Sequence, residues 1–148
     1  MILLSSEILQ IESRRRFCIL ESWDQDGYRV AEVEWVQDHQ PARSEEKVQV
    51  CWFELQELTN SAAEYTRSWL QKAREAARQD RRRLEKLLNV EAMMPVPLDP
   101  ERFSFWLATL SDRRPHERLE LLRLRDTAER ISRGLVFLKA AEQGCRMQ

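Results

Sequence analysis

Between Val36 and Cys51 the hydrophobic period of the chain changes, and that switch limits what the chain can fold into. Before it, apolar residues alternate. Ala31, Val33 and Trp35 fall on one side of an extended segment, and Tyr28, Val30 and Val36 fall on the other. After it, Cys51, Leu55, Leu58, Ala62, Tyr65, Trp69, Ala73 and Ala76 recur at spacings of three and four. A period of two marks a strand and a period near 3.6 marks a helix, so a short β part is followed by a long helical part.

Within the β part, residues 17–22 read as a second strand, opening with the apolar run Phe17 to Leu20. Asp24-Gln25-Asp26-Gly27 separates it from residues 28–37. Asp and Gly are turn residues, Gly because it takes positive φ without steric cost, so the two runs predict an antiparallel hairpin. Residues 6–12 alternate weakly and predict a third strand with an exposed edge. Two or three strands make a thin sheet that needs further strands or covering helices.

In the helical part, Leu84, Leu87 and Leu88 continue the 3–4 spacing beyond an arginine-rich stretch. One helix over 51–88 would be about 57 Å long at about 1.5 Å per residue, against a diameter of about 40 Å for a compact chain of this size. The reading therefore places a break at Thr59-Asn60-Ser61, where Ser61 and Glu64 form a capping-box pattern. Pro95 and Pro97 exclude regular helix over 93–97. Asp99 then caps a new helix with Pro100 at its first position and Phe103, Trp106, Leu107 and Leu110 on one face. Pro115 begins another helix, with Leu119, Leu121 and Leu122. Asp126 begins the last, with Ala128, Ile131, Leu135 and Leu138, ending near Gly144. Asp126–Arg130 and Glu129–Arg133 are expected as i,i+4 ion pairs on that helix, and Gly134 within it predicts a close helix contact. The fold class is α+β: an antiparallel sheet of about three strands, then a bundle of four to five helices.

Composition narrows the function. The chain has 148 residues, 43% hydrophobic and 33% charged, enough apolar material for one domain's core. Its longest run without a charge is nine residues, 103–111, too short for a membrane helix. The start lacks the basic and apolar pattern of a secretory signal. Cys18, Cys51 and Cys145 are odd in number and far apart, giving neither a disulfide framework nor a zinc site. A reducing, intracellular location, cytoplasmic or nuclear, follows as the expectation. Cys18 and Cys51 read as inert core thiols. His39 and His116 lie in loop or helix-start positions without partners at metal spacing. Three scattered glycines cannot build a phosphate loop, and there is no nucleophile motif. The expectation is a protein with no catalytic residues, no metal and no cofactor.

Charge is uneven. Residues 1–66 hold 6 basic and 13 acidic residues, while 67–110 and 111–148 each hold 9 basic and 6 acidic. Arg78 and Arg82, within the run Arg74 to Arg83, are the candidate anion-facing residues, although no aromatic residues are interleaved there as single-stranded nucleic acid would need. Trp106 and Trp69 read as core. Trp23, beside the hairpin turn, and Trp35, at a strand end, are the candidate exposed aromatics for partner contact.

These segments, in this order, resemble the LON substrate-binding domain. Arg15-Arg16-Phe17 enters a strand as the family's R-R-F does. Asp26-Gly27-Tyr28 matches D-G-Y, and Ala31-Glu32-Val33-Glu34-Trp35-Val36-Gln37-Asp38 matches a strand of the form A-x-V-E-x-x-x-D. Phe103-Ser104-Phe105-Trp106-Leu107-Ala108-Thr109-Leu110 is similar to the F-S-F-W-x-A-x-L helix, and residues 117–131 to the leucine-rich helix and its E-R-L ending.

The resemblance implies a PUA-like antiparallel sheet followed by helices. It implies a single domain over 1–148, with a β part over 1–40 and a helical part over 44–148. The family's opening strands and their leucine-proline-rich motif are missing, so the domain reads as truncated at its N-terminus. The helical part looks most like that of RING-finger proteins ending in a LON domain. The function implied is non-catalytic recognition of other proteins, linked to ubiquitin-dependent proteolysis, with any ligase activity in a RING outside this chain. Nucleic-acid binding through the basic helix is the alternative, as is a truncated remnant without a binding role of its own. The residues do not specify an oligomeric state.

Overall fold

In the computed structural model, residues 15–39, 45–110 and 114–146 are described. Two strands, β1 (Arg16–Gln25) and β2 (Tyr28–Val36), precede five helices. These are α1 (Glu45–Ala76), α2 (Arg81–Ala92), α3 (Pro100–Leu110), α4 (Pro115–Arg123) and α5 (Thr127–Arg146). The α+β class holds, with two strands among the described residues. The expected strand at 6–12 lies outside them. The chain divides into two compact units, Met1–Gln37 and Asp38–Gln148.

The hairpin pairs Gln25 with Tyr28 across the two-residue turn Asp26-Gly27. Both turn residues have positive φ, 51° and 83°, as a type I′ turn requires. A Cβ on Gly27 would meet nothing within 4 Å, so backbone conformation is its whole role. The register slips between Ile19 and Glu21, leaving Leu20 as the extra residue of a β-bulge.

In the helical unit, α1 runs unbroken for 32 residues, about 48 Å. The break expected at 59–61 is not there. Thr59 and Thr66 turn their hydroxyls inward and donate to the carbonyls of Leu55 and Ala62, both at 2.7 Å. Those bonds satisfy both groups inside the continuing helix, and both threonines are fully buried. The chain turns at 77–80 instead, where the Asp80 carboxylate accepts the Arg83 N–H at 3.0 Å and caps α2.

The expected caps at Asp99 and Asp126 form, accepting from the N–H groups of Arg102 (3.0 Å) and Glu129 (2.9 Å). Helix α5 continues past Gly144 to Arg146.

The core of the helical unit is Ala62, Ala63 and Leu70 from α1, Phe103, Trp106 and Leu107 from α3, and Ile131 and Leu138 from α5. Trp106 is buried as expected, and its indole N–H donates to the Val90 carbonyl at 2.9 Å, fastening α3 to the end of α2. Trp69 packs against the same cluster. Helices α1 and α5 are further joined by Glu142, which accepts from the Tyr65 hydroxyl (2.9 Å) and Lys72 Nζ (3.0 Å). Contrary to the core reading, the Cys18 and Cys51 thiols are exposed.

Candidate functional site

The hairpin places its aromatic residues by strand parity. Opposed residues share a face, so Phe17 and Trp35 lie together, followed by Ile19 and Val33. The Phe17 and Trp35 rings meet edge to face, 6.1 Å apart, and the Arg15 guanidinium sits 4.6 Å above the Trp35 ring. Trp35 is thus in contact with both a ring and a cation.

Strict alternation along β1 would put Trp23 on that same face. The bulge at Leu20 reverses the parity, so Trp23 pairs with Val30 and lies on the opposite face, beside Tyr28 and Gln25. Its indole N–H reaches the Gln25 side chain at 3.3 Å. The two candidate tryptophans are both exposed, but they do not form one surface. Phe17, Ile19, Leu20, Tyr28 and Val33 are exposed as well. The hairpin therefore presents large apolar groups on both faces, and among the described residues each strand pairs only with the other.

The most highly organised polar cluster lies in the helical unit. Arg130 of α5 is fully buried, and all five of its N–H donors are engaged. Nη1 and Nη2 grip the Asp38 carboxylate at 2.9 and 2.7 Å. Nη1 also donates to Ser104 Oγ at 2.8 Å, Nε to the Leu121 carbonyl at 3.2 Å, and Nη2 to the Leu124 carbonyl. The guanidinium Cζ lies over the Phe105 ring, 4.0 Å from the ring centre. Asp38 additionally accepts the Thr127 hydroxyl, and the neighbouring His39 N–H bonds the Arg125 carbonyl at 2.8 Å.

The expected Asp126–Arg130 pair is thereby overturned. Asp126 caps α5 with its carboxylate, and Arg130 reaches back 92 residues to Asp38 instead. The Glu129–Arg133 pair forms as expected, at 2.5 Å. With every donor used, Arg130 has none to offer a ligand. Its chemistry is structural: it engages two carbonyls at the end of α4 and the buried Asp38 carboxylate. Sequence reasoning missed this cluster, although Asp38, Ser104, Phe105 and Arg130 all sit in the segments whose pattern is most distinctive.

Arg78 lies in the turn after α1 and Arg82 in the first turn of α2, on either side of Asp80. Both are exposed, and neither is ion-paired among the described residues. No cluster of three or more His, Cys, Asp or Glu side chains that could hold a metal occurs among the described residues. No described helix is long and apolar enough to cross a membrane.

The family model for the ATP-dependent protease La (LON) substrate-binding domain matches residues 6–140. The chain belongs to this family. The match spans both the hairpin and all the residues around Arg130, and the domain it defines is a non-catalytic module for substrate recognition. No curated protein and no solved structure matches the chain.

Proposed function

We propose that this chain recognises apolar, extended segments of other proteins and delivers them for degradation. The observation that carries the reading is the family match over 6–140, combined with a hairpin that holds Trp23, Trp35 and their apolar neighbours at its surface. A strand edge offers backbone hydrogen bonds to an extended peptide, and flanking aromatic groups supply apolar contact at low entropic cost. Trp23 and Trp35 are the contact residues on the two faces, and Arg78 and Arg82 are a further exposed basic corner for acidic partners. The setting is inside the cell, cytoplasmic or nuclear, with a ubiquitin ligase supplying the chemistry that this module lacks.

The test is titration of the full chain with a reduced, carboxymethylated protein that cannot refold, and with the same protein in its native form. The unfolded form should bind at least about tenfold more tightly, which is about 1.4 kcal/mol. Trp35→Ser and Trp23→Ser should each weaken it. Binding should change little between low and moderate salt. A steep salt dependence, removed by Arg78→Ala with Arg82→Ala, would instead indicate phosphate contacts and a nucleic-acid partner. Equal affinity for native and unfolded protein would overturn the reading.

A further inference from the structure

The first turns of α1 and the segment between α2 and α3 together carry an apolar patch far from the hairpin in sequence. On α1, Trp52 and Phe53 are 51% and 63% exposed. Between α2 and α3, Val96 and Leu98 are 65% and 77% exposed. Gln56 joins the two segments: its side-chain amide donates to the Pro97 carbonyl at 2.8 Å. Trp52 lies one helical turn before Gln56 on the same side of α1, and Val96 and Leu98 flank Pro97 directly. Among the residues of α1 whose burial is described, the buried stripe begins near Leu55 and Thr59. Trp52 prolongs that stripe toward the N-terminus, past the helices that cover it further along.

The charge around this patch is predominantly acidic. Residues 45–64 and 91–101 contain eight acidic residues and a single basic one, Lys47. Glu54, Glu57, Glu64 and Asp99 are exposed, and Glu91 pairs with Arg74 at 3.2 Å. The rest of the helical unit is basic: residues 65–90 hold eight basic against three acidic, and 102–148 hold ten against six. Acidic character is thus concentrated where the apolar residues are uncovered.

We propose that this patch docks a basic amphipathic helix of a partner protein. The apolar face of such a helix would lie along Trp52, Phe53, Val96 and Leu98, as a fourth neighbour to the protruding stripe. Its lysines or arginines would face Glu54, Glu57 and Asp99, giving orientation and a faster encounter. An acidic helix of equal hydrophobicity would meet like charges. The site shares no residue with the hairpin, and its test can fail or succeed apart from the hairpin's.

The experiment uses two synthetic helical peptides of about 18 residues, or five turns, with identical leucine faces; one carries lysine on its polar face and the other glutamate. Titrated against the full chain, the leucine–lysine peptide should bind, and the leucine–glutamate peptide at least about tenfold more weakly. Trp52→Ser and Leu98→Ser should each reduce leucine–lysine binding about tenfold, with the far-UV circular dichroism unchanged because both side chains are exposed. Val96→Ser replaces Trp52→Ser if the latter loses structure. Trp23→Ser and Trp35→Ser should leave this binding intact. Equal affinity for the two peptides, or binding indifferent to Trp52, Val96 and Leu98, would overturn the proposal. So would a dimer in sedimentation that Trp52→Ser dissociates, since the patch would then belong to a second copy.

Discussion

Arg130 and Asp38 are joined by two parallel hydrogen bonds, 2.9 and 2.7 Å, between side chains that are 0% and 7% exposed. Asp38 is the first residue of the helical unit, and Arg130 lies on its last helix. The pair therefore ties the start of this unit to its end. Ser104 adds α3 to the cluster, and the carbonyls of Leu121 and Leu124 add α4 and the linker after it.

Removing one partner of such a pair leaves a buried, uncompensated charge, which costs about 3–5 kcal/mol. Asp38→Ala and Arg130→Met should each lower the unfolding free energy by that amount, seen as a lower urea midpoint with the m-value unchanged. The double variant should be more stable than the sum of the two losses predicts, because neither charge is then stranded. Arg130→Lys should behave like a loss rather than a conservative change, since an ammonium cannot supply five donors in one plane. Strictly additive losses would show that the two residues do not act as a pair.

Gly134 makes room for Leu107. A Cβ on Gly134 would lie 3.0 Å from Leu107 Cδ2 and 3.1 Å from its Cγ, and Leu107 is itself in the core. Alanine would gain about 1 kcal/mol of helix propensity but would overpack a side chain with little freedom to move, which costs about 1–3 kcal/mol. Gly134→Ala should therefore be neutral to destabilising, and Gly134→Val clearly destabilising, in thermal unfolding. Placed in a Leu107→Ala background, Gly134→Ala should become stabilising, because the space it needs has been opened.

What the sequence revealed and what it hid divide along range. Asp99, Pro100 and Asp126 act on backbone groups within three residues, so their caps were readable locally and they form. The Asp26-Gly27 turn is of the same kind. Ser61 and Glu64 imitate a helix start within α1, but Thr59 and Thr66 are fully buried with their hydroxyls bonded four residues back, and the helix continues. Arg130 was given its nearest carboxylate, four residues away; the partner it takes is distant in sequence and depends on the fold. The hairpin was read correctly as a hairpin, but a one-residue bulge at Leu20 moved Trp23 to the other face. Trp52 and Phe53 were readable as apolar, and their consecutive placement after Cys51 already spans more of the helix surface than a core stripe fills.

The end of α1 is set by the turn at 77–80 and by the Asp80 cap. Asp80→Ala removes the acceptor for the Arg83 N–H, and a lost cap costs about 1 kcal/mol. The expected result is a modest fall in stability. Hydrogen exchange should also become faster for the first amides of α2, and not for those of α3. Faster exchange throughout the unit would mean that the turn itself depends on Asp80.

Trp106 supplies the last and most demanding prediction, because its burial and its hydrogen bond can be separated. Phenylalanine at this position keeps a ring beside Phe103, whose centre is 5.7 Å away, but removes the N–H that serves the Val90 carbonyl. That carbonyl also accepts the Met93 N–H at 3.2 Å, so it is not left empty. Trp106→Phe should therefore cost about 1–3 kcal/mol, from lost volume and one hydrogen bond, whereas Trp106→Ala should cost about 3–5 kcal/mol. Because the bond spans α2 and α3, Trp106→Phe should also raise hydrogen exchange at the C-terminal end of α2 beyond its effect on α5. A uniform rise in both helices would mean that Trp106 acts only through its volume.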